Sequence, residues 1–393
     1  MQWSSSLSTA PTTEAAVEEV ATATLDALGG APDLVVVFAG AAHRIAYDRL
    51  PRLLGERLGD GLVLGCSAGG VIGAGHEVET GAALSVTAAR LPGVALDAWR
   101  LEAGDLAPGS DHSARLATLA AGSRPHFIVL ADPFSFPTER LLRGLEQGFN
   151  GSVISGGLAS GGSAPGECAL FLDTRHWYSG ALVLALAGDI EMLGAVAQGC
   201  RPVGEPMFVS ACDGNRLDGL DGRAPIAVLD SLFAHADERD RTLMRHSLFL
   251  GLAMRPGESR HGQGDFLVRN VVGGDPASGA LWIGAELREH QVVQFQLRDR
   301  ETSSADLDRV LARLAAELGE RPAAGGLLFS CTGRGEGLYG VRDHDTAACR
   351  AQLGELPLGG FFCNGEIGQV EGRPFVHGYT SALAVFRAPP QEA

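Results

Sequence analysis

The segment FSCTGRGEG (329–337) sets a thiol, Cys331, three positions before a guanidinium, Arg334, with Gly333 and Gly335 flanking the arginine. A cation near a sulfur favours the thiolate, so Cys331 is a candidate reactive thiol, the alternative being a cysteine that only packs. Glycine on both sides strips bulk from Arg334 and leaves its fork able to hold a carboxylate in bidentate fashion; a surface arginine in a flexible turn is the plainer alternative. A second segment, FFCNGEIG (361–368), presents Asn364, Gly365 and Glu366, which with backbone amides can fix the amino group and polar edge of a small ligand. Asn364 capping its own turn explains the same residues. His377, ahead of Gly378 and Tyr379, can be an acid or base, a metal or haem ligand, or a hydrogen-bonded structural histidine. In GCSAGG (65–70), Cys66 and Ser67 end an apolar run, where turn amides can lower a thiol pKa or a small residue can fill a tight crossing.

The common catalytic signatures are missing from the context they need: there is no P-loop and no H-E-x-x-H, and neither G-x-G-x-x-G nor G-x-S-x-G, whose letters occur as GCSAG (65–69), stands between a strand and a helix. The net charge of −16 repels phosphate backbones and anionic lipid, so neither nucleic acid nor a membrane surface is an expected partner. MQWSSSLSTAPTTEAA lacks the basic and apolar regions of a signal peptide, and a cytoplasmic location is expected. Seven cysteines without a C-x-x-C pair read as free thiols and not as a disulfide frame or zinc site.

The elements that must carry these residues repeat a plan. Residues 1–12 are small and polar and are expected to be a disordered tail. A helix over 13–28, a strand over 34–38, a helical stretch over 43–58 split at Pro51, and a strand from Leu62 lead into GCSAGG. Strands over 83–88 and 94–101 follow. A strand over 127–130, a helix over 138–149 with Thr138 as N-cap, and a strand over 153–155 then lead into GGLASGG (156–162), and strands over 169–172 and 181–186 are expected to pair as a hairpin. Near the end, a strand over 327–330, a helix over 345–353 and a strand over 360–362 lead into CNGEIG, with a last strand over 382–386. Cys66 to Ala83 and Cys363 to Thr380 both span 17 residues, which suggests an internal duplication. Between these lie strands over 194–220, helices over 227–248, three strands over 266–298, and an amphipathic helix over 303–318 with Leu307, Val310, Leu311, Leu314 and Leu318 on one face. The expected class is mixed α/β, with two related halves, sheets covered by helices, and domains over 13–225 and 226–388.

Taken together, GCSAGG, GGLASGG, QGCRPVGEP (198–206), FLVRNVVGGDPASGALWIG (266–284), FSCTGRGEGLYG (329–340) and FFCNGEIG with HGYT (377–380) resemble the FIST family over about residues 33–387. The resemblance implies a two-part sensory module of the kind found in bacterial signalling proteins. Such a module binds a small molecule such as an amino acid between its two domains, and in some members resembles a haem-dependent nitric oxide sensor. Cys66, Ser67, Cys331, Gly333, Arg334, Gly335, Asn364, Gly365, Glu366 and His377 are then the candidate ligand residues, with His377 the axial ligand if haem is bound. The sequence departs from the family where Gly69-Gly70 and Gly161-Gly162 stand in place of a glycine followed by an acidic residue. No kinase, cyclase, receptor or F-box segment is present, so output through a protein partner is implied. A cysteine-dependent enzyme using Cys331 or Cys66 is the third reading.

Overall fold

In a computed structural model of the chain, residues 1–393 are described except 108, 121–123, 256, 258–260 and 391–393. The chain forms two compact units. One comprises 1–196, 308–376 and 380–393; the other comprises 197–307 with 377–379. This division differs from a cut near residue 225.

The first unit begins with β1 (Gln2–Ser8), α1 (Thr13–Leu28), β2 (Leu34–Gly40), α2 (Leu50–Leu58), β3 (Leu62–Ala68), β4 (Val71–Gly73), β5 (His76–Val78) and β6 (Leu84–Arg90). The order recurs in β7 (Val94–Leu101), α3 (Asp111–Ala120), β8 (His126–Ala131), α4 (Thr138–Gly148), β9 (Ile154–Leu158), β10 (Leu170–Leu172), β11 (Arg175–Trp177) and β12 (Ala181–Gly188). A third round opens with β13 (Glu191–Ala197). Next come β14 (Cys200–Pro202), β15 (Met207–Asp213), β16 (Arg216–Leu220), α5 (Pro225–His235), α6 (Glu238–His246), β17 (Leu248–Ala253), β18 (Phe266–Asp275), β19 (Ala280–Ile283) and β20 (Val292–Arg298). The third round resumes with α7 (Arg300–Leu318), β21 (Gly325–Cys331), α8 (Glu336–Tyr339), α9 (His344–Leu353), β22 (Leu358–Cys363), β23 (Glu366–Val370), β24 (Arg373–His377) and β25 (Ser381–Arg387).

Pairing shows that the rounds are structural repeats. The three sheets run β1-β6-β2-β3-β10-β11, β7-β12-β8-β9-β23-β24 and β13-β25-β21-β22-β4-β5. In each, a central parallel pair is flanked by an antiparallel strand of its own repeat, and the far edge is completed by a hairpin from another repeat. The hairpin β4–β5 of the first repeat completes the third sheet, β10–β11 of the second completes the first, and β23–β24 of the third completes the second. The exchange is cyclic, so no repeat can complete its sheet alone.

One close approach recurs in all three parallel pairs. A Cβ on Gly65 would lie 1.9 Å from the Val37 carbonyl oxygen, one on Gly156 1.9 Å from that of Val129, and one on Gly360 1.8 Å from that of Leu328. Only glycine fits there. The inner faces of the three sheets share one core that includes Phe38, Leu130, Phe329 and Phe361, with Phe38 and Phe361 stacked at 4.5 Å. The outer faces are covered by helices: α1 and α2 bury Val17, Val20, Leu50 and Leu54 on the first sheet, and α4 buries Leu141, Leu142 and Leu145 on the second.

Several expectations change. Residues 2–8 are no disordered tail: QWSSSLS alternates, pairs along its length with β6, stacks Trp3 on Phe386 at 4.7 Å, and places the Ser6 hydroxyl 2.9 Å from that of Thr24. Ser5, Ser6 and Ser8 are hydrogen-bonded to the rest of the unit, where composition alone reads polar and loose. GCSA remains in strand as far as Ala68, because its backbone bonds continue into β2 and β10. The segments 169–172 and 181–186 do not pair with each other, since β10 joins the first sheet and β12 the second. The N-cap of α4 is Pro137, with Thr138 already inside the helix. Finally, Cys66 and Cys363 are not equivalent. Cys66 faces Phe38 in register, whereas Cys363 faces Cys331, two residues further along the plan.

The second unit is an antiparallel barrel. β20 pairs with β15 along one edge and β17 along the other, and β15-β16-β19-β18-β17 closes the ring. Its interior is filled by Val209, Leu217, Leu250, Ile283, Val293 and Phe295, with Val228 of α5 among them. This unit shows none of the threefold plan. The segment 377–379 belongs to it: the Tyr379 ring lies 4.2 Å from that of Phe249, the Arg298 guanidinium sits 5.3 Å from the Tyr379 ring, and the Tyr379 hydroxyl bonds Asn270.

Candidate functional site

The carboxyl ends of the parallel strands converge in the first unit. Counting on from the register, Gly40 and Cys331 at the ends of β2 and β21 match Asp132, the residue after β8; opposite them come Ala68, Cys363 and Ala159, and then Gly69, Asn364 and Ser160. Three matching bonds tie these ends to the exchanged hairpins: Ser67 N–H to Ala169 O at 2.8 Å, Leu158 N–H to Gly365 O at 2.8 Å, and Phe362 N–H to Gly70 O at 2.9 Å. Ser160, fully buried, joins all three repeats. Its hydroxyl accepts from Gly69 N–H at 2.7 Å and donates to the Phe362 carbonyl.

The residues singled out in the sequence divide on this framework. Ser67 is buried; its hydroxyl donates to Ser160 O and accepts from Ala169 N–H, each at 2.9 Å. Asn364 is exposed, with its amide bonded to Ala159 O at 3.4 Å and its N–H to Leu158 O at 3.1 Å. Gly365 is buried and supplies the carbonyl named above. Glu366 is fully buried and accepts from Thr380 N–H at 3.0 Å and Thr380 Oγ1 at 2.7 Å, fixing the turn into β25. Cys66 packs in the shared core, and burial pushes its thiol well above the usual value. The same holds for Cys363, raised by burial and then by Glu366, whose carboxylate lies 3.7 Å from the sulfur. Cys331 is half-buried and accepts from Gly333 N–H at 3.5 Å. His377 is buried and belongs to the second unit.

Arg334 does hold a carboxylate in bidentate fashion, but an internal one. With its side chain wholly buried, it donates from Nε to Asp345 Oδ2 at 2.9 Å and from Nη2 to Oδ1 at 3.2 Å. Ser330 and His344 complete the carboxylate at 3.1 and 3.0 Å, and Tyr339 stacks on His344 at 3.4 Å. Burial alone pushes the Arg334 pKa down and that of Asp345 up. Their mutual attraction reverses both, so the pair stays charged. Gly335 gives room for Glu79, whose carboxylate a Cβ there would meet at 2.4 Å. Glu77 lies close by: Oε1 accepts from Thr346 N–H at 2.7 Å, and burial, then Asp345, raises its pKa to about 7. Arg334 Nη1 and Glu77 Oε2 are buried without a hydrogen-bond partner.

Sequence reasoning missed Ser160, Asp345, Glu77 and Thr380. Ser160 stands inside GGLASGG, and its place in a repeated motif is the one available signal. Asp345 meets Arg334 through the return of α8 and α9 over β21, and Glu77 joins the cluster at Thr346 through the exchanged hairpin; no local pattern reveals either. Cavities of about 390, 430 and 380 Å³ lie elsewhere, beside Trp3 and Cys349, beside Trp99 and His112, and beside Phe149 and Arg373; none of the strand-end residues lines them. Among the described residues no cluster of ligating side chains could hold a metal ion, and no helix is long and apolar enough to cross a membrane.

The FIST N domain model matches residues 33–223 and the FIST C domain model residues 225–369. The chain belongs to the FIST family. Uncharacterized protein Rv0628c of Mycobacterium tuberculosis is 35% identical over 384 residues, covering 97% of this chain and 98% of its own length. Uncharacterized protein Mb0898c of Mycobacterium bovis is 34% identical over 374 residues, 95% of each chain. An F-box/LRR-repeat protein of Arabidopsis thaliana is 27% identical over 190 residues, 44% of this chain and 34% of its own. FIST domains are in general sensory modules that bind small ligands. The boundary between the two FIST matches falls inside the barrel unit, between β16 and α5.

Proposed function

We propose that this FIST chain is a sensor for a small polar ligand, an amino acid or related metabolite, taken up where the strand ends of the first unit meet, and that it passes the signal to a protein partner. The carrying observation is exposure at a rigid junction. Gly69, Thr332, Gly333 and Asn364 are exposed at ends contributed by the first and third repeats, and the Cβ position of Gly69 is 3.5 Å from Thr332 Cγ2 and 3.6 Å from Gly161 N, on the second. Carboxyl ends of parallel strands bring open backbone together, and the bonds through Ser67, Ser160 and Glu366 hold it pre-organised. Arg334, engaged by Asp345, supports the site's shape and leaves recognition to the exposed groups.

Thermal shift against amino acids and related metabolites tests this reading. A ligand at a hundred times its Kd stabilises by about 2.7 kcal/mol, a clear rise in Tm. The rise is expected to vanish in Thr332→Arg, which fills the junction from an exposed position. If no compound of the class raises Tm, or the rise survives Thr332→Arg, the assignment fails.

A further inference from the structure

Cys331 and Cys363 are the last residues of β21 and β22 and face each other as the final register pair of a parallel ladder. Neighbouring strands lie about 4.8 Å apart, inside the roughly 4.4–6.8 Å range of Cα separations that a disulfide spans. Residues in register point to the same face, here that of Phe329 and Phe361, the pair two residues earlier. The two sulfurs differ in setting. Cys331 is half-buried, accepts from Gly333 N–H at 3.5 Å, and is near enough to Arg334 to interact with its charge. Cys363 is fully buried, donating to Ser330 O at 3.3 Å, with Glu366 Oε1 at 3.7 Å. At the same place the first repeat carries Gly40 and Ala68 and the second Asp132 and Ala159. The dithiol is peculiar to the third repeat.

We propose that Cys331 and Cys363 form an oxidisable pair that a small hydroperoxide converts to a disulfide. The Cys331 thiolate attacks the terminal peroxide oxygen; the S–O bond forms, the O–O bond breaks, and the departing oxygen leaves as water or alcohol after taking a proton. The Cys363 sulfur then attacks Cys331 as its own proton passes to Glu366. The S–S bond forms, the S–O bond breaks, and hydroxide takes that proton and leaves as water. Two thiols are oxidised, one peroxide is reduced, and a thiol reductant restores the pair. Cys331 takes the first step because it is half-buried and reachable; Cys363 resolves because it is fully buried and adjacent in register. The proposal does not depend on the metabolite reading.

The experiment treats the reduced full-length protein with hydrogen peroxide, counts thiols, and maps cross-linked peptides. Expected are the loss of two thiols, a single Cys331–Cys363 link reversed by dithiothreitol, and reaction about tenfold or more faster than free cysteine. Cys363→Ala, which installs the residue found at this position in the other two repeats, should leave a Cys331 sulfenic acid that dimedone traps. Cys331→Ser should show neither product, and circular dichroism confirms that each variant is folded. Retention of all thiols, a link mapping to Cys66 and Cys168, or an unchanged rate in Cys331→Ser would overturn the proposal.

Discussion

The first and third repeats use one backbone plan for different ends. In the first, β2 and β3 finish in Gly40, Ala68 and Gly69, and its hairpin opens with Val71; all are small or apolar. In the third, the matching positions hold Cys331, Cys363, Asn364 and Glu366. The glycine crossing, the parallel pair and the exchanged hairpin are common to both. Architecture is thus fixed by backbone fit, which side chains at the strand ends hardly disturb, and one repeat is free to collect polar groups while another stays a plain scaffold. The dependence is mutual, because the first repeat's hairpin supplies the third with Glu77.

The most damaging test of equivalence is the glycine crossing itself. Gly65→Ala, Gly156→Ala and Gly360→Ala each drive a methyl group into a carbonyl oxygen. Each should cost about 4 kcal/mol or more, enough to lose the fold, as read by urea unfolding. If Gly360→Ala is tolerated while Gly65→Ala is not, the repeats are alike only in topology. Gly144→Ala, in α4 with nothing within 4 Å, serves as control and should stabilise by about 0.5–1 kcal/mol.

Next in size is the buried pair of the third repeat. Arg334→Met leaves Asp345 charged in a dry site, at a cost of about 3–5 kcal/mol. The double variant Arg334→Met with Asp345→Asn should recover part of this, so a double-mutant cycle in chemical denaturation reads a coupling that the first repeat has no means to show.

These two tests also mark what could be read in the chain. Glycine-bounded strand ends, the helix over 13–28 and the recurrence of one device were legible because they depend on local spacing, and α1 begins and ends where the pattern placed it. The partner of Arg334 was not. Asp345 lies only eleven residues on, yet it meets Arg334 because α8 and α9 fold back over β21, and nothing in the spacing states that return. Glu77 joins the same cluster through a strand exchange between distant repeats. Ser6 and Ser8 looked like part of a loose tail because composition cannot reveal that they bond inward to α1.

Glu77 gives the comparison a pH axis. Its folded pKa of about 7 lies above the ordinary 4.5, because burial and Asp345 disfavour the carboxylate. The folded state therefore binds a proton that the unfolded chain has lost, and stability rises as pH falls from about 7 to about 4.5, by up to about 3 kcal/mol. Asp345 acts in the opposite sense: held low by Arg334 against its burial, it contributes stability above about pH 4 that is lost on further acidification. Tm should thus peak near pH 5. Glu77→Gln should remove the slope between pH 5 and 8 and raise Tm at pH 8; a slope that persists would assign the effect to other groups.

The smallest effect concerns Ser160, whose side chain joins the three repeats. Ser160→Ala deletes the hydroxyl shared by Gly69 N–H and Phe362 O and leaves a buried carbonyl unpaired, for about 2 kcal/mol. A serine or threonine at the matching places, tried as Gly69→Ser with Ser160→Ala, has different geometry because Gly69 looks outward onto Thr332. It should not rescue. Rescue would mean that any hydroxyl in this layer can bridge the ends, making the repeats interchangeable there; failure would mean that the second repeat, poor in reactive groups, is the one that locks the other two in place.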